Sequence, residues 1–292
     1  MKLMTVKAPC KINLALDIRG LLPNGYHEMD MVMQTVGLCD ILTIGLREEE
    51  GIVMTCSDVS LPCDESNICV RCAKAFFEAI GQPPRARIHL EKKIPMMAGL
   101  GGGSADGAAV LCALNQLCES KLSCEKLCEI GFKIGADIPF CIKGGTQRVQ
   151  GAGEIMNSVP KLSEELFVLI AKPNFPVSTK LAFQGFDEQE DPQHADVEGM
   201  IAALEKGDLT EISAKLGNVF EPFCRPDEIG AIKETMLQQG AKGALMSGSG
   251  SAVFALFEDK EKAEVCAEIL GPQVEQVDVV QPLSTGIYEL CE

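Results

Sequence analysis

The sequence lacks any apolar run near the roughly 18 residues that a membrane-spanning helix needs. Its first stretch, MKLMTVKAPCKINLALDIRG, carries lysines where a signal peptide would need apolar residues, and it is not rich in arginine and serine like a transit peptide. Low-complexity segments and internal repeats are also lacking. These absences predict a cytoplasmic protein that does not act at a membrane.

Basic residues are scarce: 26 lysines and arginines stand against 42 aspartates and glutamates, which gives a formal net charge of −16. Sustained nucleic-acid binding needs a basic face, so we predict no nucleic-acid partner. The same charge sets a condition for phosphate-bearing substrates. Their charge has to be met locally, by a few lysines and backbone dipoles, against an unfavourable overall field.

Paired cysteines at the spacing of a zinc site are lacking, although the chain has 14 cysteines. Only Cys69 and Cys72 form a C-x-x-C pair, and they lie inside a helical pattern, NICVRCAKAFFEAI. Most other cysteines have apolar neighbours. We therefore expect reduced, buried thiols that act as small hydrophobic residues rather than a metal or redox centre.

The order of strand and helix patterns predicts an α+β fold. The segments KINLALDI, EMDMVMQTV and DILTIGL alternate like strands, with NGYH at 24–27 as a loop, and helices mix with strands only later. The helical patterns cover about 67–80 with Asn67 as N-cap, SCEKLCEIGFKIG ending at Gly135, and then 178–185, 197–216, 226–239 and 259–269. The segment GADIPFCIKGG reads as a loop. The polar segment SVPKLSEE favours a boundary near 155–162, so we predict two domains, 1–158 and 159–292.

Four of the five residues from Gly99 to Gly103 are glycine, and a helix is predicted to begin near Ser104. Such a loop lets backbone N–H groups converge on an anion at the positive end of the helix dipole. It is neither a P-loop, because no lysine follows, nor a dinucleotide fingerprint, because Ser104 replaces the third glycine. A tight turn or close backbone packing is the alternative. Four glycines directly before a helix favour anion binding.

The segment PMMAGLGGGSADGAA resembles the glycine motif of the GHMP kinases. The segments APCKINLALDIRGLLPNGYHEMD, GADIPFCIKGG and SGSGSAVFALF are similar, in that order, to the 4-diphosphocytidyl-2-C-methyl-D-erythritol kinase family within that superfamily, from residue 8 to about 257. The resemblance implies a strand-rich N-terminal α+β domain, a ferredoxin-like C-terminal α+β domain and an active-site cleft between them. It also implies transfer of the γ-phosphoryl group of ATP, with Mg²⁺, to the 2-hydroxyl of a small cytidyl diphosphate substrate in the non-mevalonate isoprenoid pathway.

The resemblance also implies a catalytic pair, Asp137 in GADIP as the base and Lys11 in KINLAL as the positive charge beside the reacting oxygen. From the residues alone, Asp137 is equally a turn aspartate, and Lys11 is better explained as an outward-facing strand lysine. Asn13 lies on the same strand face as Lys11, where it could hold the substrate hydroxyl.

The substrate base is assigned by the same resemblance to Tyr26 and His27, in a chain with only two tyrosines and three histidines. A tyrosine face can stack on a pyrimidine and a histidine can read its hydrogen-bonding edge. Without the resemblance, a Tyr-His pair is more simply a loop anchor. Phe183 is a possible second stacking face, although a phenylalanine at helical spacing is more often a core residue.

The loop is expected to bind ATP. The contacts implied are Pro95, Met96, Met97, Ala98, Gly99, Leu100, Gly101, Gly102, Gly103, Ser104 and Ala105. Ser104 is the one candidate Mg²⁺ ligand, and Ala105 and Gly107 depart from the serine and alanine usual in the family. The SGSGS segment at 247–251 is either a hairpin turn or a second polar loop at the acceptor site. Another GHMP kinase, such as homoserine kinase, and a non-catalytic nucleotide-binding regulator remain alternatives, and the sequence indicates no oligomeric state.

Overall fold

The computed structural model of the chain describes residues 2–23 and 25–289, so Asn24 of the predicted loop lies outside the described residues. The described residues form 12 strands and nine α-helices. The strands are β1 (Leu3–Leu21), β2 (His27–Leu46), β3 (Gly51–Cys56), β4 (Arg85–Glu91), β5 (Thr146–Gly151), β6 (Ile155–Ser158), β7 (Phe167–Lys172), β8 (Gly217–Asn218), β9 (Gly243–Met246), β10 (Val253–Phe257), β11 (Gln276–Val280) and β12 (Tyr288–Glu289). The helices are α1 (Ile68–Ala79), α2 (Gly102–Leu117), α3 (Cys124–Phe132), α4 (Ile138–Lys143), α5 (Thr179–Asp187), α6 (Val197–Lys206), α7 (Leu209–Ala214), α8 (Pro226–Gln238) and α9 (Lys260–Leu270).

The first sheet is built on a long antiparallel pair, β1 and β2, and has the order β12-β1-β2-β4-β3. Strand β2 also pairs with β5, β5 with β6, and β1 with β8. The sequence predicted two strands, EMDMVMQTV and DILTIGL, where the structure has the single strand β2. The register against β1 shifts between Pro9 and Cys10. This bulge interrupts the alternation of side chains, which is why the pattern looked like two strands.

Helices α1 to α4 pack together, and α1 and α2 lie in the core of this half. Asn67 caps α1 as predicted, since its Oδ1 accepts a hydrogen bond from the backbone N–H of Cys69 at 2.9 Å. Cys69 and Cys72 face inward, and burial raises the pKa of both thiols. A Cβ on Gly107 of α2 would lie 2.9 Å from the Cys72 sulfur, so close packing of α1 on α2 accounts for glycine at this position.

Two expectations for residues 123–145 were wrong. Helix α3 ends at Phe132 rather than at Gly135, and GADIPFCIKGG contains the short helix α4 instead of a loop. The glycines around this segment concealed α4, whereas its proline stands in the first turn, where a helix tolerates it. Ile138 and Phe140 of α4 are fully buried, and this apolar anchoring stabilises a helix too short to form alone.

The second sheet is antiparallel, with the order β11-β7-β10-β9. With α8 before β9 and α9 after β10, it has the β-α-β-β-α-β arrangement of a ferredoxin-like domain. The helix predicted over 197–216 is two helices, α6 and α7. Gly207 ends α6 with a left-handed backbone, φ +67°, a common helix terminator.

The two halves of the chain are connected by more than the linker after β6. Strand β8 pairs with β1 in parallel, and the last described strand, β12, pairs with β1 at Val6 and Lys7. The chain therefore returns to the first sheet at both places. Because the second half contributes strands to the first sheet, the predicted division into domains 1–158 and 159–292 stays a prediction. Across the described ranges, no helix combines the length and apolar character needed to cross a membrane.

Candidate active site

A cleft of about 1680 Å³ lies between the two halves of the chain. Its walls come from β1, β2, the glycine loop, the start of α4, helix α5 and the β9–β10 connection. The cleft brings together ten of the predicted site residues: all six catalytic and substrate-binding candidates, and four residues of the glycine loop. They are Lys11, Asn13, Tyr26, His27, Asp137 and Phe183, with Met97, Gly99, Gly101 and Ser104. Residues separated by more than 170 positions therefore share one site.

Lys11 and Asp137 form an ion pair in this cleft, with 3.7 Å between Nζ and Oδ2. Lys11 is only 5% exposed, and its Nζ donates a hydrogen bond to Oδ1 of Asn13 at 2.8 Å. Asp137 precedes α4, yet its side chain does not cap the helix and is about one-third exposed (34%). Its carboxylate is therefore paired with Lys11 and still reachable from the cleft.

The loop 95–101 is fixed from both sides by its backbone. The N–H of Lys11 donates to the carbonyl of Leu100 at 3.0 Å. From the other side, Oγ of Ser247 donates to the carbonyl of Gly99 at 3.0 Å, and Ala252 N–H donates to the carbonyl of Ala98 at 3.1 Å. The SGSGS segment is thus the β9–β10 hairpin connection and also a wall of the cleft, so the hairpin interpretation is confirmed and a role at the acceptor site stays a prediction.

Close packing explains three of the four glycines in the loop. A Cβ on Gly99 would lie 2.0 Å from the Ser247 carbonyl oxygen. A Cβ on Gly101 would lie 3.1 Å from Cγ of Lys11, and a Cβ on Gly102 would lie 2.9 Å from Cγ2 of Ile94. These three positions have no room for a side chain.

A Cβ on Gly103 would meet no atom nearer than 3.8 Å, so packing within the chain does not require glycine there. Helix α2 begins at Gly102, and its N-cap, Gly101, has no side chain to bond the first-turn N–H groups. Such uncapped N–H groups at the start of a 16-residue helix are available to an anion.

A second cavity, of about 420 Å³, opens on the other side of the loop. Its apolar wall is formed by Leu61, Pro62, Ile68 and Leu90. Ser104 lines both this cavity and the main cleft. The start of α2 therefore stands where the two cavities meet.

Beneath the loop lies a buried ion cluster that the sequence analysis did not detect. Lys92 Nζ donates to Oδ2 of Asp106 at 2.9 Å and to Oδ2 of Asp40. Oδ1 of Asp40 accepts from the backbone N–H groups of Lys93 at 2.6 Å and Ile94 at 2.8 Å, which fixes the entry to the loop. Burial raises the pKa of Asp106 against the effect of Lys92. Burial alone would lower the pKa of Lys92. The two carboxylates, Asp106 and Asp40, together have the larger effect, so the pKa of Lys92 is raised.

We expect Lys92→Met to lower the free energy of unfolding by about 3–5 kcal/mol at pH 7.5, because two buried carboxylates lose their shared cation. The loss should be smaller at pH 5. Lys92 lowers the pKa of Asp106 in the wild type, so its removal lets Asp106 bind a proton more tightly in the folded variant, and lowering the pH then favours folding of the variant more than that of the wild type. Urea unfolding at both pH values measures this.

Lys93→Met is the matched control, since Lys93 is the next residue and is exposed. It should change the unfolding free energy by less than about 0.5 kcal/mol at either pH. Equal stability of the two variants would mean that the buried cluster contributes nothing.

The far end of the cleft carries aromatic rings. The rings of His27 and Phe183 lie 4.5 Å apart, and Phe220 is in edge contact with Phe183 at 4.8 Å. Tyr26 is 67% exposed at the rim. Oδ1 of Asp187 lies 2.8 Å from Nε2 of His27, a contact that the sequence analysis missed. Its one sequence signal is that Asp187 follows Phe183 by four positions, which places both on one face of α5.

Comparison with known proteins identifies the class. The model of the GHMP kinases N terminal domain matches residues 67–145, and that of the GHMP kinases C terminal domain matches residues 200–274, which together exceed half of the chain. The fold and the cleft therefore define an ATP-dependent kinase of the GHMP class that acts on a small molecule.

The 4-diphosphocytidyl-2-C-methyl-D-erythritol kinase of Caldicellulosiruptor bescii is 41% identical over 276 residues, 94% of this chain and 96% of the relative. That of Lachnoclostridium phytofermentans is 41% identical over 266 residues, 90% and 91% of the two chains. The chain belongs to this family of kinases.

The solved structures agree. A crystal structure of a 4-(cytidine 5'-diphospho)-2C-methyl-D-erythritol kinase matches with a TM-score of 0.80 and 31% identity, covering 96% of this chain and 99% of that one. A homoserine kinase from Cytophaga hutchinsonii has a TM-score of 0.82 at 24% identity, covering 99% and 98% of the two chains. The second likeness shows the shared fold alone.

Proposed function

We propose that this chain transfers the γ-phosphoryl group of ATP to the 2-hydroxyl of 4-diphosphocytidyl-2-C-methyl-D-erythritol and releases ADP and the 2-phosphate. The observation that carries the proposal is the position of the Lys11–Asp137 pair, which lies in one cleft with the glycine loop, with Tyr26 and with the adjacent rings of His27 and Phe183. A phosphoryl donor, a proton acceptor and a base-binding surface can therefore act on one substrate. The relatives named above support the choice of acceptor.

In the proposed reaction, Asp137 accepts the proton of the acceptor hydroxyl. Lys11 keeps positive charge beside the oxygen that attacks the phosphoryl group, and catalysis is mainly positioning and electrostatic stabilisation. Asn13 is held against Nζ of Lys11 through its Oδ1, and its amide group can orient the substrate hydroxyl. The loop from Pro95 to Ala105, with the free N–H groups of α2, receives the ATP phosphates.

The condition set by the net charge falls on the groups nearest the ligands. The charged residues that line the main cleft are balanced in number, three lysines against three carboxylates: Lys11, Lys133 and Lys180, and Asp137, Glu154 and Asp187. Lys92, at the second cavity, is already shared by two buried carboxylates. The main cleft is therefore formally neutral rather than acidic, and the N–H groups at the start of α2 supply positive potential for the phosphates there.

The site fits Mg²⁺ in the manner usual for kinases. Mg²⁺ keeps several waters and binds substrate phosphates with few protein ligands. Nothing in the described residues forms a group of three or more histidine, cysteine or acidic metal ligands, which agrees with such a site. The Ser104 hydroxyl, at the junction of the two cavities, would hold the ion, which would neutralise phosphate charge.

The acceptor is tested by ADP release from the purified chain with ATP, Mg²⁺ and each candidate in turn. We expect release with 4-diphosphocytidyl-2-C-methyl-D-erythritol and none above background with homoserine. Release with homoserine alone would identify a different GHMP kinase. Release with neither, in a chain that still binds ATP, would identify a nucleotide-binding regulator.

We expect Tyr26→Ala to raise KM for the cytidyl substrate by roughly tenfold or more, since base stacking on an aromatic ring contributes about 1–3 kcal/mol. KM for ATP should stay within about twofold. Tyr26 is 67% exposed, so the fold should tolerate the change. Tyr26→Phe keeps the ring face and should retain nearly the normal KM. Equal increases in both KM values would place the base elsewhere.

A further inference from the structure

The contact between His27 and Asp187 decides which nitrogen of the imidazole carries the proton. Oδ1 of Asp187 lies 2.8 Å from Nε2 of His27, which is hydrogen-bond distance. A carboxylate accepts hydrogen bonds and cannot donate them, so this contact needs the proton on Nε2. In the neutral ring, the other nitrogen, Nδ1, then carries a lone pair and acts only as an acceptor.

The ring is also held in place by its neighbours. Its side chain is 17% exposed, and the ring of Phe183 lies 4.5 Å away at an interplanar angle of 30°. Phe220 supports Phe183 from behind at 4.8 Å. His27 lines the cleft, and with Nε2 occupied by Asp187, Nδ1 is the ring nitrogen left to contact a base there.

We propose that Asp187 is a positioning residue that fixes His27 as a hydrogen-bond acceptor and so selects cytosine over uracil in the acceptor substrate. The proposal rests on the function proposed above, in which Tyr26 and His27 receive the base. Cytosine presents an amino group, a donor, where uracil presents a carbonyl oxygen, an acceptor. With Nδ1 opposite this group at position 4 of the ring, its lone pair accepts a hydrogen bond from the amino group of cytosine and is repelled by the carbonyl oxygen of uracil.

The chemical reason for selectivity is the unpaired group that the wrong base leaves behind. A site built to hydrogen-bond one substrate group rejects the analogue that lacks it, because a desolvated polar group then has no partner. Stacking on Tyr26 or Phe183 gives no such discrimination, since every base has a stacking face. The stacking rings therefore provide affinity, and the Asp187–His27 pair provides the choice of base.

The first measurement is the protonation of His27 by nitrogen NMR on protein labelled at histidine, at pH 8. The chain has three histidines, so the His27 signals can be assigned by comparison with a His27→Gln variant. We expect a proton on Nε2 and none on Nδ1. In Asp187→Lys the ammonium donates to Nε2, and the proton should move to Nδ1. A wild-type ring protonated on Nδ1, or on both nitrogens, overturns the inference.

The second measurement is competitive inhibition by cytidine diphosphate and uridine diphosphate against the cytidyl substrate. The wild type should bind cytidine diphosphate at least tenfold more tightly than uridine diphosphate. Asp187→Lys should reduce this ratio at least tenfold without changing KM for ATP, and Asp187→Glu should restore most of it. A ratio that is unchanged in Asp187→Lys overturns the inference, because a merely structural role would weaken both inhibitors equally.

Glu188→Lys is the matched control. Glu188 is the next residue, is exposed and follows the end of α5. Its replacement by lysine therefore makes the same change of charge outside the His27–Asp187 pair. It should leave the inhibition ratio at the wild-type value. Tyr26→Ala separates the two proposals. If it leaves cytidine diphosphate inhibition intact, the base site proposed above fails and base selection falls with it. If it weakens inhibition while Asp187→Lys does not alter the ratio, only the role of Asp187 fails.

Discussion

Replacing Asp137 with alanine is expected to lower kcat about 10³-fold while leaving the fold and the affinity for ATP nearly unchanged. The large effect follows from loss of the proton acceptor, since general-base catalysis contributes roughly 10²–10⁴-fold. The small structural effect follows from the geometry. The side chain is 34% exposed and does not cap α4, and its Oδ2 lies 3.7 Å from Nζ of Lys11, whereas Nζ keeps its 2.8 Å hydrogen bond to Asn13 in the variant. ADP release measures kcat, and calorimetric titration measures ATP binding.

Asp259→Ala is the matched control, because Asp259 also stands at a helix N-cap but performs the capping. Its Oδ1 accepts from the N–H of Glu261 at 2.9 Å at the start of α9. Loss of such a cap costs about 1 kcal/mol of stability. Asp259→Ala should therefore lose stability and keep turnover, whereas Asp137→Ala should do the reverse. Near-normal turnover in Asp137→Ala would contradict its role as the base.

Features that depend on neighbouring residues were predictable from the sequence. Asn67 caps α1, because a capping side chain bonds the N–H two residues later and the signal is local. The α+β class follows from the order of patterns, and the family follows from motifs in KINLAL, GYH and the glycine loop. The pairing of Lys11 with Asp137, 126 positions apart, came only from the resemblance, since no local pattern brings a strand residue to the start of α4.

Features set by distant contacts were missed. The cluster under the loop joins Asp40 to Lys92, and no spacing rule relates a residue inside β2 to the residue that follows β4. Helix α4 forms because Ile138 and Phe140 are buried, which local propensity among glycines does not indicate. Phe183 resembles an ordinary core residue of an amphipathic helix. Its position beside His27 depends on where α5 packs.

The glycine loop shows why a motif can be recognised and still be explained incompletely. The sequence offered anion binding and close packing as competing explanations, and the structure assigns close packing to Gly99, Gly101 and Gly102. Only Gly103 is left without a packing reason. The two explanations therefore belong to different residues of one loop, and substitution can separate them.

Gly99→Ala should destabilise the folded chain by about 2–5 kcal/mol and nearly abolish turnover. Gly99 has φ +72°, where a side chain is strained, and its Cβ would lie 2.0 Å from the Ser247 carbonyl oxygen. The strain and the overpacking each cost about 1–3 kcal/mol. Relief requires the loop to separate from the β9–β10 hairpin, which also displaces the hydrogen bond from Ser247 to Gly99. Urea unfolding and ADP release measure the two effects.

Gly103→Ala should behave in the opposite way. Its Cβ meets nothing within 3.8 Å, and alanine favours a helix over glycine by about 1 kcal/mol, so stability should be equal or slightly higher. KM for ATP should nevertheless rise roughly tenfold or more, because a methyl group would hold the phosphates away from N–H groups whose bonds to charged ligands contribute about 1.5–3 kcal/mol each. An unchanged KM for ATP would show that the start of α2 does not receive the phosphates. A loss of stability instead would show that packing, and not ligand approach, requires this glycine too.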